Sequence, residues 1–207
     1  MFVLTVDQQS STGRADLVPS LLADLAAHLD GAPGVALGFE RTVGDEVQGV
    51  LGDAATTVDV VLALVRRGGW SIGLGLGPVS TPLPATSREA TGAAFVHARA
   101  AVDQAKGRGS AVPLAVVGPS AGVAAEVEAL LQLLGATVQR RTERAWQVID
   151  ALARAGGVQK DVAAELGISA QAVSRSLRTS LWHEEAAVRP LVARLLHEAD
   201  ETDEGDG

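Results

Sequence analysis

The hydrophobic period changes once along the chain, and that change limits what the chain can fold into. Up to residue 117, short apolar runs of strand length alternate with stretches whose apolar residues recur every three or four positions; from residue 120 onward only the helical spacing remains. This pattern predicts a sheet with helices laid on it, followed by an all-helical part. The 207 residues suffice for one large or two small domains. With 47% hydrophobic and 20% charged residues, the chain is too apolar to remain disordered.

In detail, residues 2–6 read as a strand ending at Asp7, and Ser10 to Gly13 break it. A helix follows over 15–29. Runs 35–41 and 47–51 flank Gly44-Asp45-Glu46 as a hairpin, and Asp53 caps a helix over 54–67 closed by Gly68-Gly69. Strand 70–76, a loop marked by Pro82 and Pro84, helix 93–106 and strand 112–117 complete a β-α-β-β-α-β-α-β order. Residues 119–141 read as a linker helix with Gly135 as its weak point. Thr142 caps a further helix that stops at Gly156-Gly157, and two short helices and a longer one follow. The expected units are an α/β domain over 1–118, the linker 119–141, a helical domain over 142–199 and a disordered acidic tail over 200–207.

Charge is unevenly spread. The chain totals −8, yet residues 140–199 carry a net +2 while 200–207 carry −5. The absence of cysteine excludes disulfides and thiolate chemistry. The four histidines lack the i,i+4 pairing of a helical zinc motif. No charged segment precedes an apolar one near the start, and the longest apolar runs fall well short of about 20 residues, so a cytoplasmic protein without membrane insertion is expected.

The most specific stretch is 158–181, VQKDVAAELGISAQAVSRSLRTSL. Val162, Leu166, Ile168, Val173 and Leu177 supply the buried seam of two short helices, Ala163 permits a close crossing, Gly167 makes the turn and Ser169 caps the second helix. The segment resembles the helix-turn-helix of bacterial regulators and sigma-factor-like domains, which implies binding to double-stranded DNA. In that geometry Ala170, Gln171, Ser174, Arg175 and Arg178 line the face toward the major groove. Gln171 is suited to adenine and Arg175 to guanine, while Lys160, Ser169 and Arg178 suit phosphates. A homodimer is expected, because one short recognition helix seldom supplies enough contacts.

A crossover through a helix makes strands 2–6 and 35–41 parallel, so Asp7 and the hairpin carboxylate Asp45 should share one sheet edge. Two carboxylates beside the loop amides and a helix start are the elements of a Mg²⁺ and phosphate site, with Ser10, Ser11, Thr12, Arg14 and Gly44 around a nucleotide. Here the sequence resembles the class III nucleotidyl cyclase palm. Arg41 to Val47 matches its hairpin and residues 72–79 match the strand that follows. Residues 1–117 are more closely similar to the SatD-like family, through Asp7, Gly44 to Gly49, Gly73/Gly75/Gly77 and Gly92-Ala93-Ala94-Phe95. The resemblance implies an α+β, ferredoxin-like palm ahead of the helix-turn-helix. It also gives Arg99 the place of the cyclase helix arginine. Phe39 and Phe95 stand where a purine-reading lysine and an asparagine belong, which implies a degenerate palm with no catalytic residue. The reading is a regulator whose DNA binding a nucleotide or metal modulates. The alternative is a Mg²⁺-dependent, cyclase-like enzyme with a helical targeting or dimerisation module.

Gly118-Pro119-Ser120-Ala121-Gly122 matches a nucleophile elbow by spacing, but a helix start explains it as well. Gly73, Gly75 and Gly77 on one strand face predict close approach, most commonly by a helix.

Overall fold

The structure, a computed structural model, describes residues 1–10, 13, 15–107 and 109–201. The elements are β1 (Phe2–Gln8), α1 (Val18–His28), β2 (Val35–Arg41), β3 (Glu46–Leu51), α2 (Ala54–Arg67), β4 (Trp70–Leu76), α3 (Ala93–Gly107) and β5 (Leu114–Val117). Five helices follow: α4 (Ala121–Gln139), α5 (Glu143–Arg154), α6 (Gln159–Leu166), α7 (Ala170–Thr179) and α8 (Trp182–Glu201). The fold is thus mixed α and β with a helical C-terminal region.

The sheet order is β2-β3-β1-β4-β5. β1 runs antiparallel to both β3 and β4, while β4 and β5 are parallel. Hence β1 and β2 point the same way with β3 between them, and β3 and β4 point the same way with β1 between them. These are two interlocked βαβ units. The register pairs Asp7 with Glu46, which brings the Gly44-Asp45 turn to the edge where β1 ends.

Strand alternation divides the side chains between two faces. Phe2, Leu4 and Val6 join Val47, Leu51, Ile72, Leu74 and Leu76 beneath α1, α2, α4 and α8 in the main core. The other face of β4 lies under α3, whose Ala94, Ala98, Ala101 and Ala105 are all buried. The glycines of β4 make that possible. A Cβ on Gly73 would sit 2.3 Å from the Val102 nitrogen, and one on Gly75 would sit 2.1 Å from the Ala94 carbonyl oxygen. Close helix packing, rather than ligand approach, fills that space.

The expected linker is a core helix. α4 puts Val127, Leu131, Leu134 and Val138 into the main core and runs unbroken through Gly135, where a Cβ would meet Val112 at 2.9 Å. Gly135 is therefore a close-packing position and not a break. α4 also closes the outer edge of β5: the Val116 N–H donates to Glu128 (2.9 Å) and the Gln132 amide donates to the Leu114 carbonyl (2.7 Å). An edge strand left open would offer its backbone to other chains. Ser120 caps α4 by accepting from the Val123 N–H, which accounts for the elbow-like motif. By length and composition α4 is apolar enough to cross a membrane; it carries Glu126 and Glu128, and one face of it is packed in the core.

α8 returns to the α/β part, burying Val192, Leu196 and Ala199 in the same core, while Leu191 stays exposed. It continues through Asp200, which pairs with the Met1 amino group. Residues 202–207 lie outside the described residues.

Candidate nucleic-acid interface

α5, α6 and α7 form a three-helix unit with its own apolar centre. Val148, Ile149, Ala151, Leu152, Val162, Val173 and Leu177 are buried together, flanked by Ala163, Leu166, Ile168 and Trp182. The turn follows from local chemistry. Gly167 ends α6 in the left-handed conformation (φ 62°, ψ 36°), which favours glycine. Ser169 then starts α7 by accepting the Ala172 N–H at 3.2 Å. Arg154 and Glu165, 2.6 Å apart, tie α5 to α6.

With Val173 and Leu177 fixing its inner side, α7 turns Ala170, Gln171, Ser174, Arg175 and Arg178 outward, and all five are exposed. Ser169 and Lys160 are exposed beside them. Among the described residues no acid pairs with Lys160, Arg175 or Arg178, and α7 itself carries none. The seven expected DNA contacts thus lie on the open side of the unit, with their cations unneutralised.

The unit is held to the α/β part through contacts that short-range sequence patterns do not reveal. The two chain crossings, α4 to α5 and α7 to α8, run side by side, and the Arg141 Nε donates to the Ser180 carbonyl at 3.0 Å. The Arg141 and Glu185 side chains are 1% and 0% exposed and form an ion pair. Burial pulls the Arg141 guanidinium below its ordinary value, and the adjacent Glu185 carboxylate opposes that shift. Arg189 donates to Glu185 at 2.8 Å and pairs with Asp59 of α2. Arg66 of α2 grips Asp150 of α5 through both nitrogens (2.6 and 2.7 Å) and lies 3.8 Å over the Trp146 ring. A cleft of about 610 Å³ lies alongside, between α1 and α2 on one side and α5 on the other.

At the sheet edge, the register sets the Gly44-Asp45 turn beside the end of β1, and cations pair with the carboxylates around it. Lys106 Nζ lies 2.8 Å from the Asp7 carboxylate. Arg99 pairs with the buried Glu46, which also accepts from Thr42 Oγ1 at 2.7 Å. Arg41 binds Asp16 and donates to the Gly44 carbonyl at 3.1 Å. Among the described residues no group of three or more histidine, aspartate or glutamate side chains is placed to hold a metal ion. With Lys106 on Asp7, these side chains do not fit Mg²⁺. Ser10 lies in the turn after β1, while Ser11, Thr12 and Arg14 are outside the described residues. Phe39 stacks over Gly49, its ring within 2.8 Å of where a Cβ would stand.

Helix, glycine turn, capped second helix and a basic, acid-free outer face define a helix-turn-helix DNA-binding domain. The family model described as bacterial regulatory protein, Fis family, matches residues 147–178, which run from within α5 through most of α7. No curated protein and no solved structure matched the chain.

Proposed function

We propose that this protein is a transcription regulator that reads the major groove of double-stranded DNA with α7. One observation carries the reading: the acid-free outer face of α7 presents Gln171, Ser174, Arg175 and Arg178 while Val173 and Leu177 lock the helix from behind. Phosphate contacts come from Lys160, Ser169 and Arg178, and base contacts from Gln171 and Arg175. The protein acts as a homodimer, which doubles a contact area that a ten-residue helix alone leaves small.

The interlocked βαβ units support reading the first part as a ferredoxin-like, cyclase-like palm. That domain biases DNA binding through the Arg66–Asp150 pair, which joins α2 to α5 of the reading unit. The enzyme alternative is the weaker one, because Lys106 already pairs with Asp7, one of the two carboxylates it would need.

Selection from a random duplex pool tests the proposal. Wild type should enrich one motif, and Gln171→Ala should relax preference at a single position of it by a factor corresponding to about 1–3 kcal/mol. A pool that stays random after repeated selection would overturn it.

A further inference from the structure

The outer face of α4 meets nothing within the chain. α4 is a 19-residue helix apolar enough to span a bilayer, yet only 33% of that apolar stretch is buried. Its inner side gives Val127, Leu131, Leu134 and Val138 to the main core. Turned away from the core, Gly122, Glu126, Ala129, Leu133 and Arg140 are exposed, Leu133 at 64%, with Ala136 half-buried among them. Steps of three and four residues from 122 to 140 put these positions on one stripe along the helix.

The two charges on that stripe are placed symmetrically about Leu133. Glu126 lies seven residues before it and Arg140 seven after, which at 1.5 Å per residue is about 10.5 Å along the axis in either direction. Arg140 caps α4 with helical backbone (φ −80°, ψ −9°), so the spacing holds to the last position. Among the described residues, neither the Glu126 nor the Arg140 side chain forms an ion pair or hydrogen bond within the chain.

We propose that this stripe is where two copies of the chain pair, with the α4 helices antiparallel and the two-fold axis passing at Leu133. A two-fold interface must be complementary to itself, and this one is. Leu133 packs against Leu133 of the second copy, and Glu126 of each copy stands level with Arg140 of the other. A parallel pair sets like charge against like at both positions, and a purely apolar partner leaves both charges unmatched. The inference deepens the homodimer reading and rests on it. Because the strip is one helix wide, the dimer is reversible rather than permanent.

The test uses the full chain. It has no cysteine, so Leu133→Cys introduces a single thiol at the axis. Mild oxidation should link that variant into a disulfide-bonded dimer. Gly122→Cys, whose two thiols stand about 33 Å apart across the axis, should not cross-link. Sedimentation equilibrium up to about 100 μM gives the dimer affinity. Glu126→Arg should weaken it roughly tenfold, as two ion pairs become two repulsions, and Glu126→Arg/Arg140→Glu should restore it. Circular dichroism checks that these exposed substitutions leave the fold intact. A wild-type dimer that ignores Glu126→Arg and cross-links no better through residue 133 than through residue 122 overturns the surface while leaving the homodimer standing. A chain that is monomeric at about 100 μM overturns both. If that monomer instead binds phosphatidylcholine–phosphatidylglycerol vesicles, and Leu133→Glu abolishes the binding, the stripe belongs to a membrane surface and the proposal falls.

Discussion

Replacing Glu185 by leucine should destabilise the protein far more than replacing it together with its partner. Arg141 is 1% exposed, and Glu185 is its carboxylate partner among the described residues. In Glu185→Leu the guanidinium keeps the Ser180 carbonyl at 3.0 Å and the Trp146 ring at 5.0 Å but loses its countercharge. An uncompensated buried charge of this kind costs about 3–5 kcal/mol. For a chain of this size that corresponds to a fall in thermal midpoint of roughly 6–20 °C. Arg141→Met/Glu185→Leu removes both charges and replaces them with apolar groups of similar bulk, so most of the loss should return. Arg189 retains Asp59 in both proteins, so its contribution largely cancels between them. Urea melts followed by tryptophan fluorescence and checked by thermal melts give the comparison. A single variant as stable as wild type, or a double variant no more stable than the single, would refute the claim that the hinge rests on this pair.

Gly75→Ala should be destabilising by at least about 1–3 kcal/mol in denaturant melts, because its Cβ would lie 2.1 Å from the Ala94 carbonyl and α3 must move off the sheet. Gly122→Ala, in open space on α4, is the control and should be neutral or slightly stabilising. Ser169→Ala should cost about 1 kcal/mol through loss of the α7 cap, with fold retained by circular dichroism. Glu40 is pushed up by burial, but the Arg88 N–H and the Ser87 hydroxyl outweigh this and hold its carboxyl below the ordinary 4.5. Its contribution is therefore present above the unfolded value and is lost as pH falls through the lower folded value. The acid limb of a thermal-midpoint profile should accordingly be shallower in Glu40→Gln, and an unchanged limb would contradict the assignment.

The elements with a strong local signal were legible in the sequence. Asp53 with Gly68 bounded α2, the apolar runs gave β2 and β4, and Gly167 with Ser169 located the turn before α7, because caps, turns and period act within a few residues. Long-range partners were not legible. Arg66 meets Asp150 across 84 positions, and Arg189 meets Asp59 across 130, so no spacing rule reports them. Gly135 shows the same limit from the other side: read locally it weakens a helix, whereas the tertiary contact with Val112 makes its small size an advantage. At the sheet edge, the topology set the Gly44-Asp45 turn beside the end of β1. The cations on Asp7 and Glu46 come from α3, whose path over the sheet is set by the β4 glycines rather than by any pattern near Asp7.

The central claim is that the outer face of α7 reads DNA. Fluorescence anisotropy with duplexes from the protein's own locus, over a salt series, compares wild type with Arg175→Ala/Arg178→Ala, both side chains being exposed and free of acidic partners among the described residues. The account predicts sequence-selective binding by wild type that the double variant loses, with a salt slope shallower by about 1 for the phosphate-facing arginine. Indistinguishable curves for the two proteins, without selectivity at low salt, would contradict it.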